Sequence, residues 1–101
     1  MRIRILDEAE KDLEEGYRFY ESKSVGLGSY FLDSLYSDID SLLYFAGIHY
    51  VIFGYYRLLS KRFPFAVYYR IIDIIDDVVL VYAVLDCRRN PSWIRERLLK
   101  G

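Results

Sequence analysis

Residues 55–71 read YYRLLSKRFPFAVYYRI, and residues 78–91 read VVLVYAVLDCRRNP. Both begin as apolar runs rich in β-branched and aromatic residues, which predicts strands, and a Phe63-Pro64-Phe65 corner interrupts the first run. Basic residues recur along the two runs at Arg57, Lys61, Arg62, Arg70, Arg88 and Arg89. Basic side chains spaced along a small sheet indicate a surface that meets an anionic partner.

The N-terminal segment predicts a strand followed by a helix. Residues 2–6, RIRIL, alternate polar and apolar side chains, as in a half-buried strand. Asp7 and Glu10 have the spacing of a capping box, so a helix is predicted from there to about Ser22. Its apolar face carries Ala9, Leu13, Tyr17 (or Gly16) and Tyr20, and its other face carries Glu8, Asp12, Glu15 and Arg18.

A turn with two glycines precedes a second predicted helix. Ser29 is placed to cap this helix, and Gly47 stands where a left-handed residue would end it. The apolar stripe consists of Phe31 (or Leu32), Leu35, Ile39, Leu42, Leu43 and Ala46. Two helices joined by a short loop form a helical hairpin, and its apolar seam needs a sheet to cover.

The second half of the chain predicts that sheet. The expected strands are Tyr55–Phe63 (with a start nearer Tyr50 as the alternative), Ala66–Ile72 and Val78–Asp86, the last apolar enough to be central. Residues 73–77 read as a turn, although Ile74 and Ile75 could extend the strand before it. Asn90 and Pro91 predict the N-cap and first residue of a helix through Lys100. The sequence therefore predicts one α+β domain over residues 1–101, with order β-α-α-β-β-β-α and a mostly antiparallel four-stranded sheet.

Composition restricts the classes of function. Residues 1–54 carry a net charge of −5 and residues 55–101 one of +4, which together give −1. This balance, with a pI near 5.8, is not that of a protein that binds nucleic acid over a wide surface. Cys87 is the only cysteine and reads as a small core residue, with a reactive thiol beside the arginines as the alternative. Without a signal peptide, a membrane span or a metal-binding cluster in the sequence, we expect a cytoplasmic protein without metal or cofactor.

Several phrases, in this order of elements, resemble the RelE/ParE superfamily of toxins from type II toxin–antitoxin modules, and most closely its ParE-like, plasmid-stabilisation branch. The matching phrases are the arginine strand at Arg57, Arg62-Phe63-Pro64-Phe65, Tyr68-Tyr69-Arg70-Ile71 and Asp86-Cys87-Arg88-Arg89-Asn90-Pro91. FYE at residues 19–21 and GLG at residues 26–28 also fit the helical hairpin of that family. One departure is Asp86, which stands where this branch often has histidine.

The resemblance implies a toxin that inhibits DNA gyrase by binding, without being an enzyme, and that a cognate antitoxin neutralises. A higher-order toxin–antitoxin assembly is a further expectation. The residues expected to meet the target are Arg57, Lys61, Arg62, Arg70, Arg88, Arg89 and Trp93. Those expected to meet the antitoxin lie on the helical hairpin and are Leu13, Tyr17, Tyr20, Phe31 and Leu35.

Two alternatives remain open. RelE-type relatives are ribosome-dependent mRNA endoribonucleases, and in that case the catalytic residues would be Lys61, Arg62, Arg70, Arg88 and Arg89. This alternative is disfavoured, because Ala66 replaces the arginine that commonly opens the third strand of nuclease members, no tyrosine follows Tyr82, and His49 lies in a loop. The second alternative is a non-toxic member that only binds its antitoxin, which the histidine-to-aspartate departure at Asp86 allows.

Some of these residues also have purely structural explanations. Arg88 and Arg89 can pair with Asp86 or with the acidic helices, and Trp93 can pack the last helix onto the sheet. Strand alternation places Arg70 on one face with Ala66 and Tyr68, and Val67, Tyr69 and Ile71 on the other. If the helices cover the second of these faces, Arg70 lies on the open one with the other basic residues.

Overall fold

Five strands and four helices make up the chain in a computed structural model that describes residues 1–73, 75 and 77–100. The strands are β1 (Arg2–Ile5), β2 (Tyr50–Ile52), β3 (Tyr55–Leu59), β4 (Phe65–Asp73) and β5 (Val78–Asp86). The helices are α1 (Asp7–Lys23), α2 (Leu27–Asp40), α3 (Leu42–Phe45) and α4 (Pro91–Lys100). The strands form one sheet in the order β1-β5-β4-β3-β2, in which only β1 and β5 pair in parallel among the described strands.

The predicted α+β architecture is confirmed, but the sheet has five strands instead of four. The strand predicted over Tyr55–Phe63 is β3, which ends at Leu59, and the additional strand β2 precedes it. β2 and β3 form a hairpin in which Ile52 pairs with Tyr55 across a two-residue turn. Phe53 and Gly54 both have positive φ, 52° and 83°, as in the tight turns that match the twist of a hairpin. Glycine adopts this conformation without strain, whereas phenylalanine rarely does, so the pair gave no clear turn signal.

The two helices of the hairpin, α1 and α2, begin differently from the prediction. α1 begins at Asp7 with Leu6 in the N-cap position, so the capping box is wrong. α2 begins at Leu27, ahead of Ser29, because the Glu21 carboxylate reaches across the turn and accepts hydrogen bonds from the Gly26 and Gly28 N–H groups, at 3.1 and 3.0 Å. A side chain from the preceding helix thus takes the place of a local cap.

The second helix is also shorter than predicted. It ends at Asp40, and α3 follows as a separate turn of helix after Ser41, whose hydroxyl donates to the Asp38 carbonyl oxygen at 2.6 Å. This back-bonding competes with the regular helical pattern and often bends helices. Gly47 has a φ of 97°, which confirms the predicted left-handed residue after the helical segment. The predicted turn at residues 73–77 lies partly outside the described residues.

The sheet has an apolar core on each face. Val67 and Tyr69 of β4 belong to the larger core, under α1 and α2, whereas Ala66 and Tyr68 belong to a second core that Ile94 and Leu98 of α4 complete. The predicted alternation along β4 is therefore confirmed. The expectation of an open second face is wrong in part, because α4 covers a portion of it.

A buried ion pair ties α4 to the rest of the fold. Asp12 was expected on the solvent face of α1, but it is buried, and it accepts two hydrogen bonds from Arg97 and one from the Val84 N–H at 3.0 Å. The start of α4 matches the prediction, since Asn90 accepts a hydrogen bond from the Ser92 N–H at 2.8 Å. The C-terminal helix is therefore capped at its start and attached to α1 through Arg97 near its end.

Candidate functional site

Four of the six candidate basic residues lie at one end of the sheet. Lys61 and Arg62 belong to the turn between β3 and β4, and Arg88 and Arg89 follow directly after β5. The two segments meet because the N–H of Cys87 donates to the Pro64 carbonyl oxygen at 2.8 Å. We call these residues, Lys61, Arg62, Arg88 and Arg89, the basic end. All four side chains are exposed.

Asp86 holds Arg88 in a bidentate ion pair. The Nε and Nη2 atoms of Arg88 lie 3.0 and 2.7 Å from the two carboxylate oxygens of Asp86, and the Arg88 N–H donates to the same carboxylate at 2.8 Å. Hydrogen bonds from Arg88 lower the pKa of the Asp86 carboxyl, and this carboxylate raises the pKa of the Arg88 guanidinium. The structural explanation for Arg88 is therefore present in the fold. The pair positions the guanidinium group, but it also offsets part of its charge.

Aromatic rings position two further arginines of the basic end. The guanidinium carbon of Arg89 lies 3.9 Å from the centroid of the Trp93 ring, and that of Arg62 lies 5.8 Å from the Tyr30 ring. Cation–π contacts of this kind hold an arginine in place without using its hydrogen-bond donors. Arg89 and Arg62 thus remain able to donate to an anionic group.

An open cavity of about 330 Å³ adjoins the basic end between α1 and α4. Its walls include Phe19, Phe65 and Trp93, together with Asp86 and Arg89. Trp93 is partly exposed there and packs against Arg89, and its role in meeting a target stays a prediction.

Arg70 lies away from the basic end, whereas Arg57 lies close to it. Arg70 lies over the Tyr55 ring, 4.0 Å from its centroid, and its Nε donates to the Gly54 carbonyl oxygen at 3.0 Å, at the opposite end of β4. Arg57 lies on the α4 side of the sheet, opposite Tyr68 of the neighbouring strand, and its charge acts on the thiol of Cys87, the residue before Arg88. Both arginines are partly buried by the fold, which makes them poorer candidates for the target surface than the basic end.

The residues expected to meet an antitoxin divide into surface and core. Tyr17 is half-buried and lines an open groove of about 460 Å³ between α1 and α2, with Leu13 at its base. Phe31 and Leu35 are fully buried in the core under the helices, so their side chains offer no surface to a partner. Sequence periodicity marks the apolar stripe of a helix but does not separate its buried part from its rim.

Tyr20 takes a different place from the one expected of it. Its ring packs against Phe63 at a centroid distance of 4.8 Å and against Phe31 at 5.1 Å, and its hydroxyl interacts with Arg88. Desolvation raises the pKa of the Tyr20 phenol. Tyr20 therefore packs beside the basic end, in contact with Arg88, and its phenol stays protonated at neutral pH.

Cys87 and His49 are the remaining ionisable candidates. Cys87 is exposed, not the core residue predicted, and desolvation raises the pKa of its thiol, which argues against a reactive thiolate. His49 is hydrogen-bonded to the Tyr69 hydroxyl and has no contact with the basic end among the described interactions.

Within the part of the chain that the structure describes, no cluster of His, Cys, Asp or Glu could hold a metal ion. Among the described helices, none is long and apolar enough to cross a membrane.

Comparisons with known proteins yield a match in structure alone. No protein-family model matches the chain, and no curated protein gives a significant match. Among solved structures, a chain of the "Chromosomal ParDE TA system from P. aeruginosa" superimposes with a TM-score of 0.71 at 18% sequence identity, over 83% of this chain and 92% of that chain. The protein therefore has the fold of that ParDE chain. The α+β fold predicted from the sequence is confirmed, although its sheet has five strands and not the four predicted.

Proposed function

We propose that this protein is the toxin of a type II toxin–antitoxin module, and that it acts as a ParE-like toxin by binding DNA gyrase. The observation that carries the proposal is the likeness of fold to a chain of a ParDE TA system, which extends over 83% of this chain. The sequence phrases at Arg62–Phe65 and Asp86–Pro91 support the same family and fall in the turn and strand end that form the basic end, whereas the phrase at Tyr68–Ile71 lies further along β4.

The geometry of the basic end favours binding over catalysis. RNA cleavage at a 2′-hydroxyl requires a group that accepts a proton near neutral pH. Tyr20, the tyrosine in contact with Arg88, has a pKa raised by desolvation, and His49 lies against Tyr69 instead. What the basic end offers is a set of positioned guanidinium groups, suited to an acidic protein surface or a phosphate.

The groove between α1 and α2 is the proposed docking site for part of the antitoxin. Tyr17, Leu32 and Tyr36 contribute apolar surface to it. Glu10, Lys11, Glu14 and Arg18 surround them with charges of both signs. Disordered tails that fold on binding bury apolar anchors in grooves of this kind.

The target is tested by inducing the protein in bacteria that lack its antitoxin and pulse-labelling DNA and protein synthesis within minutes. We expect DNA synthesis to stop first, with induction of the DNA-damage response. The double variant Arg88→Ala/Arg89→Ala should abolish this effect. Arg95→Ala, an exposed arginine of α4, is the matched control and should retain it.

Other results would redirect the proposal. An early stop in translation would favour the endoribonuclease alternative, and the loss of mRNA cleavage in the double variant would then identify the basic end as its active site. Normal growth with a folded, abundant protein would favour the non-toxic alternative. Failure of the protein to form a complex with the product of an adjacent antitoxin-like gene would count against the whole assignment.

A further inference from the structure

Residues 41–56, SLLYFAGIHYVIFGYY, contain no aspartate, glutamate, lysine or arginine, in a chain of which 29% of residues are charged. They form α3, β2 and the turn into β3. His49 is their one imidazole, and burial lowers its pKa, so that it is neutral at physiological pH. The segment is therefore uncharged under ordinary conditions.

This uncharged segment is also highly exposed. Tyr44 and Tyr50 expose 84% and 86% of their surface, and Val51 exposes 62%. We call the exposed residues the apolar edge: Leu43, Tyr44, Phe45, Ile48, Tyr50, Val51 and Phe53. An aromatic side chain has a surface of ~150–250 Å². The exposed parts of the four aromatic residues in this set therefore add up to roughly 500 Å². The exposed apolar area of this segment is thus in the range that marks interaction sites on soluble proteins.

The two edge strands of the sheet differ in the charge that they carry. β1 forms one edge, and it carries the exposed arginines Arg2 and Arg4, which discourage pairing with another strand. β2 forms the other edge, and it carries Tyr50 and Val51 without any charge. On its outer side no strand of the described chain pairs with β2, so its backbone groups on that side are open to a further strand.

We propose that the apolar edge is covered by a second copy of this chain, through antiparallel pairing of β2 with its symmetry mate. In a two-fold dimer, residues near the axis meet their own copies, and any charge there would face a like charge. A segment without charges avoids this repulsion. A different partner strand could instead be matched by opposite charges, and the edge would then gain from carrying some.

The dimer would join two five-stranded sheets into one of ten strands. The aromatic side chains of α3 and β2 would supply much of the ~800 Å² per partner of a typical stable interface. The basic end and the groove between α1 and α2 involve none of these residues, so both would remain accessible. The pairing would form whether or not the protein proves to be a toxin.

The test is the oligomeric state of the purified full chain, measured by sedimentation over a range of concentrations. We expect a dimer for the wild type. Val51→Lys places like charges opposite each other and should weaken dimerisation by about a hundredfold or more. Val25→Lys makes the same substitution at a valine that is 94% exposed in the loop between α1 and α2, and it should leave the dimer unchanged.

A second pair of variants tests the symmetry of the interface. Val51→Lys and Val51→Glu should each be monomeric alone, and mixing them should restore a dimer, because residue 51 would then face its opposite charge. Circular dichroism establishes that each variant is folded. A wild type that stays monomeric at all concentrations, or a dimer that survives Val51→Lys, would overturn the proposal, as would a mixture that stays monomeric.

Discussion

The carboxylate of Asp12 in α1 accepts two hydrogen bonds from the guanidinium group of Arg97 in α4, at 2.7 and 2.8 Å. The same carboxylate also accepts the Val84 N–H of β5. One buried side chain thus joins a helix, a strand and the C-terminal helix. The arrangement satisfies the charge of Asp12, and it makes the stability of the fold depend on Arg97.

Removal of Arg97 should therefore be costly. Arg97→Ala leaves the Asp12 carboxylate buried without its counter-charge, and we expect a loss of roughly 2–3 kcal/mol in the free energy of unfolding, since Arg97 keeps some solvent contact. Urea denaturation measures the change. Arg95→Ala, on the exposed side of the same helix, should alter stability by less than about 0.5 kcal/mol. Equal effects of the two variants would show that the ion pair contributes nothing.

Replacing Gly16 by alanine should destabilise the protein, although alanine favours helices. Alanine in place of glycine ordinarily stabilises a helix by up to about 1 kcal/mol. Here a Cβ atom at residue 16 would overlap the ring of Phe31, which is fully buried beneath it. We expect Gly16→Ala to destabilise the protein by about 1–3 kcal/mol, as overpacking does. A thermal melt decides the sign, and a higher melting temperature would contradict the packing described.

Replacement by alanine should lower the stability of the protein at Arg70 but not at Arg62. Arg70 contacts the Tyr55 ring and the Gly54 carbonyl oxygen, so Arg70→Ala is expected to cost about 1–2 kcal/mol of stability. Arg62 is exposed, and Arg62→Ala should change stability by less than about 0.5 kcal/mol. Urea denaturation of both variants, together with growth inhibition, tests this division. Retained stability with lost activity in Arg70→Ala would return Arg70 to the target surface.

The pH dependence of stability should contain a step from His49. The Tyr69 hydroxyl accepts the Gly47 N–H at 2.9 Å and can then donate to Nδ1 of His49, which requires the neutral imidazole. Burial lowers the pKa of His49 in the folded state below its ordinary value of 6.5. Between these two values the unfolded chain binds a proton that the folded chain does not, so stability falls as the pH drops below about 6.5.

The control for this step is His49→Gln, which lacks the titrating group. Urea denaturation at pH 7.5, 6.5 and 5.5 should show a loss of stability in the wild type that is absent from the variant. Asp86 does not interfere, because its pKa is lowered from 3.8 by Arg88 and its contribution is lost only at lower pH. Parallel curves for the two proteins would show that His49 is not held neutral by the fold.

Local signals in the sequence predicted the second half of the fold well. β5 has the predicted bounds, Val78–Asp86, because an apolar run and a capped helix define its ends within the same segment. Asn90 and Pro91 placed the start of α4 for the same reason. The hairpin at Phe53 was missed, since the first residue of its turn is a type that seldom takes positive φ.

Where the prediction from sequence placed a residue wrongly, the position of that residue depends on contacts between distant parts of the chain. Asp12 has the spacing of a solvent-facing residue, and the partner that allows its burial, Arg97, is 85 positions away. The basic end illustrates the same limit. Its members could be named from the sequence, but only the fold separates Arg62, Arg88 and Arg89 from Arg70.

The parallel pairing of β1 with β5 has a consequence for synthesis on the ribosome. Arg2 to Ile5 align with Val78 to Val81, so β1 can join the sheet only after β5 has been synthesised. Until then the apolar faces of α1 and α2 have no complete sheet to cover. Long-range pairing of this kind slows folding and leaves nascent chains prone to aggregation. We therefore expect the sheet to be completed only once β5 has left the ribosome, so that a chaperone or a binding partner already present in the cell can meet the unfinished fold first.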